Sequence, residues 1–387
     1  MLKTIKYFLI AIAIYFLTLF IFRLEPFFLF NDNLKTDNTI TYTNIEKIDW
    51  ITVLTFWSWS NYKKWYFHWS QLKDQINNML DFVKYDMLWN DYYRWSPVFS
   101  FLQFKAKQFI DYIPQDYLEE MKWIADWAWV SFNEILFINT YDDLLQIAGC
   151  SSIIIPRKKN FSNVFVHARN LDYPINILAK NKLVIKYPTH ISIWFPWYIG
   201  VVTWVWYKWI SLSNHTAYSS NKWEYWIPSW FLYRKILEKA SSLEVVKNIL
   251  KTEKRTIANN LMVWSYKENK WMVAEFDSKN IDFRKLIYKN IIVSTNHYRT
   301  YTMKKYSLNS EWTRYKSFFN KIINIKKINI DRVKEIMWDY SDTRDWETIA
   351  NNWTVQSVIM IPELKKVFVA NWKNIPVTNW EYIEINY

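Results

Sequence analysis

The sequence predicts an α+β fold built from layered helices and sheets. Three observations carry this. Up to residue 149 apolar residues recur mainly at helical spacing, from 150 onward the chain turns to short β-like runs, and two helical stretches divide those runs into two groups. Strand groups separated by helices pack as layers around a shared core. At 387 residues and 51% hydrophobic content the chain has material for one large domain or two, and no internal repeat is visible.

Taken in order, Lys3 and Lys6 precede an uncharged apolar run at 7–22, followed by Arg23; apolar residues resume at 24–30, broken by Glu25 and Pro26. A basic end before an apolar core suits a signal peptide or a signal anchor. No small-x-small cleavage site follows, which favours an uncleaved anchor over 1–30 with the body outside the cytoplasm. The run falls short of the roughly 20 residues of a full span, so a cleaved signal and a secreted protein stay open. Residues 31–44 are polar and read as a linker, and 45–149 as an α-rich segment. Within it Leu72, Ile76, Met79, Leu80 and Val83 keep helical spacing over 70–83, and 114–124 is a second helix. Ser131 and Glu134 have the spacing of a capping box. Strands are predicted at 152–155, 164–168, 183–187, 191–194 and 199–203, helices at 227–240 and 243–250, and strands at 261–266, 271–276 and 291–294. A last hairpin joins 355–361 to 366–370 around Pro362.

The net charge is +13, with Lys often set among Asn and Ile. The charges are scattered rather than gathered in a stripe, so no nucleic-acid partner is expected. The single cysteine, Cys150, excludes an intrachain disulfide and a cysteine zinc cluster, and five His without close ligand spacing argue against a His metal site. No cofactor is expected.

A further imbalance concerns glycine. The chain has 26 Trp and 2 Gly. Together they reach about the 7% share that glycine alone has in ordinary proteins. Several Trp sit where a backbone wants glycine, such as Trp57 and Trp59 around Ser58, Trp204 and Trp206 around Val205, and Trp226 before Ile227-Pro228. A fold of this size without glycine would have to fill its φ > 0 positions with bulky residues, under strain. The simplest reading is that most of these Trp are glycine in the natural protein, from a gene whose UGA codons encode glycine. The alternative is a Trp-rich, non-enzymatic surface protein that binds glycans.

Cys150 has small neighbours, Gly149, Ser151 and Ser152, and leads into a strand-like run. A charged segment, Arg169-Asn170-Leu171-Asp172, ends the next strand, and Asn214 and Asn296 lie at later strand ends. A lone Cys is ordinarily an inert core residue; here the polar residues downstream suggest chemistry.

With Trp read as Gly, Gly149-Cys150-Ser151-Ser152-Ile153 followed by Ala168-Arg169-Asn170-Leu171-Asp172-Tyr173-Pro174 resembles the N-terminal-nucleophile (Ntn) cysteine hydrolases: acid ceramidase, N-acylethanolamine acid amidase, choloylglycine hydrolase and isopenicillin N acyltransferase. Segments 120–131, 195–200 through 203–206 to 211–214, Thr295-Asn296-His297, and Ser310-Glu311-Trp312-Thr313-Arg314-Tyr315 resemble the isopenicillin acyltransferase branch, in the family's order. The resemblance covers roughly 45–387. The 156–162 insert lengthens the separation of Cys150 from Arg169 relative to the ceramidase branch.

The resemblance implies a four-layer αββα sandwich with its catalytic domain at 150–387. It also implies a precursor that cuts itself between Gly149 and Cys150, with the two chains staying associated. The freed α-amino group of Cys150 would then take the thiol proton, so no catalytic His is required, although His167 and His297 are candidate neighbours. On this reading Arg169 holds the substrate or the thiolate and Asp172 positions the α-amino group. Asn214 and Asn296 donate to the oxyanion, and Arg314 pairs with Asp172 or the substrate. The structural alternatives are an Arg169–Asp172 ion pair, Asn214 as a turn residue, and Asn296 and Arg314 as surface groups; Tyr173-Pro174 shapes a loop. The implied reaction is cleavage of a linear N-acyl amide, plausibly lipid-like, through a thioester, or acyl transfer on the same scaffold.

Overall fold

The computed structural model describes residues 43–56, 61–82, 97–173, 177–187, 190–201, 203–206, 210–284, 291–308, 313–340, 348–371, 374–379 and 381–387. The expected anchor at 1–30, most of the linker, Trp57, Trp59, Pro174 and Ser310-Glu311-Trp312 lie outside the described residues. Among the described residues no helix is long and apolar enough to cross a membrane.

Two sheets form the centre. The larger has nine strands: β1 (Thr43–Ile48), β2 (Ile51–Phe56), β5 (Lys182–Lys186), β6 (His190–Trp194), β7 (Thr203–Trp206), β8 (Ile210–Thr216), β9 (Asn259–Ser265), β10 (Lys270–Phe276) and β11 (Ile281–Phe283), adjacent in that order. The smaller has six, ordered β12 (Ile292–Ser294), β3 (Gly149–Ile155), β4 (Val166–Asp172), β13 (Thr354–Ile361), β14 (Lys366–Ala370) and β15 (Tyr382–Asn386). Pairing is antiparallel throughout except where β2 runs parallel to β5. The sheets pack face to face. Ile51, Val184, Ile193 and Val205 of the larger meet Val358, Met360, Val367 and Val369 of the smaller in one buried cluster. Burying each such side chain contributes about 1.5–3 kcal/mol.

Helices cover both outer faces. The described helices include α1 (Asn61–Phe82), α2 (Pro97–Lys107), α3 (Gln115–Ala128), α4 (Phe132–Leu145), α5 (Ser229–Lys239), α6 (Leu243–Thr252), α7 (Thr313–Ile322) and α8 (Ile330–Met337). α6 packs on β9 and β10 of the larger sheet, while α7 packs on β12 and α8 on β4 of the smaller. The order is therefore helices, sheet, sheet, helices. α4 begins at the expected capping box: Ser131 Oγ accepts from the Glu134 N–H, and the Glu134 carboxylate accepts from the Ser131 N–H, an arrangement that stabilises a helix start by ~1 kcal/mol.

Two expectations require correction. The stretch 43–56, at the junction of the expected linker and the segment read as α-rich, is a β-hairpin; Ile51, Thr52, Val53 and Thr55 are β-branched, and such residues prefer a pleated, half-buried surface. The segment before Cys150 thus supplies strands as well as helices. The strand expected at 199–203 begins only at Thr203. Ahead of it the Ile199 N–H donates to Asn139 Oδ1 and the Val201 N–H to the Trp230 carbonyl, so the backbone there is spent on helices rather than on a sheet ladder. β8, β11 and β15, and helices α2, α7 and α8, come in addition to the predicted set.

Candidate active site

Cys150 is the second residue of β3 and is fully buried. β3 pairs with β4 so that Gly149 lies opposite Asp172, Cys150 opposite Leu171 and Ser152 opposite Arg169. Alternate residues of these strands face opposite ways. Ser151 and Asn170 turn outward, to the Ile349 carbonyl and, for Asn170, also the Met337 carbonyl of α8. Cys150, Ser152, His167 and Arg169 turn inward toward the larger sheet.

The inward face is polar at this end of the sandwich. Arg169 Nη2 lies 3.2 Å from Cys150 Sγ and donates to Asn214 Oδ1 at 3.0 Å, while its Nη1 donates to Thr203 Oγ1 at 2.5 Å. The guanidinium therefore bridges β4 to β7 and β8 with the thiol on its edge. Burial pushes the Cys150 thiol up from its ordinary value, and Arg169 pulls it back by charge and hydrogen bond.

A second cluster holds the backbone at Gly149–Cys150. The Cys150 N–H donates to Asn296 Oδ1 at 3.0 Å, and Arg314 Nη1 approaches the Cys150 carbonyl at 3.4 Å and Asn296 Oδ1 at 3.3 Å. Arg314 Nη1 also lies 2.8 Å from Asp172 Oδ2, with both side chains buried. Thr354 Oγ1 donates to Asp172 Oδ1 at 2.7 Å. All six predicted residues, Cys150, Arg169, Asp172, Asn214, Asn296 and Arg314, are thus within one connected network.

Asp172 contacts Arg314 and Thr354, so the structure forms the expected Arg314–Asp172 pairing. Two details differ from expectation. Asn296 turns its carbonyl to the Cys150 N–H because Nδ2 already donates to the Thr216 carbonyl at 2.8 Å; in this uncut chain it is an acceptor, not the expected oxyanion donor. Asn214 likewise presents its Oδ1 to Arg169. Thr203 and Thr354 were not singled out in the sequence. Hydroxyl residues are common on strands, and only the sheet-to-sheet register brings these two to the site.

The histidines lie apart from the thiol. His167 shares hydrogen bonds with Ser211 and Ser213 of β8, each at 2.9 Å, and His215 with Ser152 at 2.8 Å and the Asn260 carbonyl at 3.0 Å. His297 contacts Thr295 Oγ1 at 2.8 Å. Burial lowers His167 and His297 to about 3, so both are neutral near pH 7. His167 and His215 pin the two sheets together. Among the described residues no cluster of three or more His, Cys, Asp or Glu side chains gathers as metal ligands.

Residues 159–348 match the family model of acyl-coenzyme A:6-aminopenicillanic acid acyl-transferase. The match takes in Arg169, Asp172, Asn214, Asn296 and Arg314 and begins after Cys150. It supports the resemblance, read from the sequence, to the N-terminal-nucleophile hydrolase superfamily. No curated protein matches it significantly. Among solved structures it is similar to a Caenorhabditis elegans ortholog of N-acylethanolamine-hydrolyzing acid amidase, at 20% identity and TM-score 0.42, over 56% of this chain and 94% of that one. It is also similar to a mutant conjugated bile acid hydrolase from Clostridium perfringens, at 12% identity and TM-score 0.41, over 62% of this chain and 97% of that one.

Proposed function

We propose that the chain is a self-activating cysteine amidase. The observation that carries the reading is the pairing of Cys150 Sγ with Arg169 Nη2, together with the Cys150 N–H held on Asn296 Oδ1. A buried thiol needs a cation to favour its thiolate and a base to take its proton. Arg169 is the cation. The base is the α-amino group that cleavage before Cys150 would release, held where the Cys150 N–H now sits.

In self-cleavage the thiolate attacks the Gly149 carbonyl, the C–N bond breaks, and the acyl group passes to Sγ as the nitrogen becomes an amine. Water then splits the thioester, leaving a Gly149 carboxylate and a free thiol. In turnover the same thiolate attacks the amide carbonyl of an N-acyl substrate. The amine leaves with the proton held by the Cys150 α-amino group, and water releases the acid. Asp172 fixes Arg314 beside Cys150, and Asn214, joined to the thiol through Arg169 Nη2, supplies Nδ2 to the oxyanion. The chains would stay together after the cut, because β2 from the first pairs with β5 from the second.

The substrate class is an N-acyl amide with a lipid-like acyl chain, met at a membrane to which residues 1–30 tether the enzyme outside the cytoplasm. Acyl transfer to an amine in place of water is the second reading; the acyltransferase family match favours it.

The test is to express the chain and its Cys150→Ala variant and to determine the N-termini. A wild-type product beginning at Cys150, with the variant uncut, supports the reading. Incubation with N-acyl amides and competing amines then separates hydrolysis from transfer by the products. An uncut wild type that binds glycans through its Trp side chains would replace the enzyme with a binding protein.

A further inference from the structure

We infer that Asp142, with Tyr173, is a positioning pair that holds the Gly149–Cys150 bond in place for self-cleavage. This rests on the self-activation proposed above. α4 stops in a left-handed turn at Gln146, with φ at 49°, whose N–H closes on the Asp142 carbonyl. Three residues later the chain enters β3. The Asp142 side chain turns toward the Ala148 N–H across this return. It also accepts the Tyr173 hydroxyl at 2.5 Å. Tyr173 follows Asp172, the residue opposite Gly149, and its N–H is tied to the Trp353 carbonyl at 2.7 Å. One buried carboxylate thus fastens the residue before the scissile pair to the strand across from it. On the other side, Asn296 and Arg314 hold Cys150. The bond is gripped at both ends, as a near-attack geometry requires.

Asp142 is fully enclosed, and burial raises its carboxyl to about 6, opposed by Tyr173 and Arg169. Facing it are Arg169 and Tyr173 from the β4 side, Cys150 from β3, Tyr198, Tyr218, and Tyr233 from α5; Tyr141 and Asp143 lie beside it on α4. The tyrosines are all raised, Cys150 is raised, and Asp143 is lifted to about 8. A step in the cleavage rate near pH 6 therefore belongs to Asp142.

The experiment follows formation of the chain beginning at Cys150 by intact mass between pH 5 and 8, in the full chain and in Asp142→Ala, Asp142→Asn and Tyr173→Phe. Circular dichroism checks that each folds. Asp142→Ala should cut about tenfold or more slowly, the scale of losing a charge-assisted buried hydrogen bond. Asp142→Asn, which keeps an acceptor, should cut faster than the Ala variant and lose the step near pH 6. Tyr173→Phe should move that step upward, since the phenol helps ionise Asp142. Folded Asp142 variants that cut at the wild-type rate with the wild-type pH profile overturn the inference while leaving the proposed function intact. A wild type that never cuts sinks both.

An independent observation concerns the tryptophans. The geometry points to glycine in the natural protein at positions 129 and 264. Trp129 ends α3 in the left-handed region, at φ 63°. The Val130 N–H bonds to the Ala125 carbonyl at 3.0 Å and the Trp129 N–H to Asp126 at 3.4 Å, which is the Schellman pattern with Trp129 in the place usually taken by glycine. Trp264 is fully buried, its indole N–H has no hydrogen-bond partner, and its ring lies flat on Phe165 with centroids 3.2 Å apart. Aromatic pairs keep roughly 4.5–7 Å, so the site is overfilled. Peptide mass spectrometry of the protein from its native source decides it: glycine at 129 and 264 bears the inference out, and tryptophan at both overturns it.

Discussion

The two sheets differ in what they bury. The strands of the six-stranded sheet contain no Trp, and polar groups around the thiol find partners across the sheets: Cys150 with Arg169, Ser152 with His215, His167 with two serines. The strands of the nine-stranded sheet carry Trp194, Trp204, Trp206, Trp264 and Trp271. Of these, Trp194, Trp264 and Trp271 have buried indole N–H groups without a partner, as do Trp197 and Trp230 near the same sheet. A buried N–H left unmatched costs about 1–3 kcal/mol. The contrast separates two kinds of information in one chain. Around the thiol, strand propensity and polar pairing agree, while the other sheet leaves the buried indole N–H groups of Trp194, Trp264 and Trp271 unmatched.

The strongest way to break this comparison is at the thiol. Cys150→Ala should abolish both self-cleavage and amide turnover while the chain still folds, because it removes one small buried atom from a matched network. Intact mass and unfolding curves check the two halves separately. Residual cutting in the variant would move the nucleophile elsewhere.

Next in size is Arg169, which joins the sheets. Arg169→Met keeps the stem and removes the charge, leaving Asn214 Oδ1 without its donor while Thr203 keeps Gln356. Turnover should fall on the order of a hundredfold, the scale of losing a charged hydrogen-bond partner at a reacting atom. A smaller loss in kcat/KM than in a surface-arginine control would make Arg169 a structural tie only.

Much of this site was legible in the sequence. Cys150 beside small residues, the Arg169–Asp172 segment, Asn214, Asn296 and Arg314 are read along the chain and meet in space. The partners were not. Thr203, Thr354 and Asp142 are ordinary residues of their elements until sheet register and the α4 return place them. The direction in which Asn296 points depends on the Thr216 carbonyl, a competition between backbone groups that no sequence spacing encodes. The hairpin at 43–56 was missed for a different reason, since a short β-branched run inside a helical region loses to its surroundings.

The histidines give a third, graded test. His167 and His297 fall from an ordinary 6.5 to about 3 on burial. Their folded-state values are depressed, so the folded chain binds fewer protons than the unfolded one between those limits. The stability they contribute is whole above pH 6.5 and shrinks as pH falls toward 3. The slope is about 1.4 kcal/mol per pH unit for each. Urea midpoints at pH 7, 6 and 5 should decline, and His167→Gln should flatten the decline. Equal slopes for both proteins would remove His167 from the account.

The smallest effect sharpens the comparison most, because it isolates backbone from packing. Trp129 is 65% exposed, so replacing it loses little buried surface. Its backbone sits at φ 63°, where a side chain with a Cβ costs roughly 1–2 kcal/mol that glycine does not. Trp129→Gly should therefore raise stability, by about 1–2 °C in the unfolding midpoint for a chain of this size. Lys73 reaches over the Trp129 ring, with Nζ 4.5 Å from its centroid, an exposed contact worth about 0.5–1 kcal/mol, so the gain should be partial rather than full. If the midpoint falls instead, the ring is holding the helix end, position 129 is built for tryptophan, and the contrast between the two sheets loses its simplest explanation.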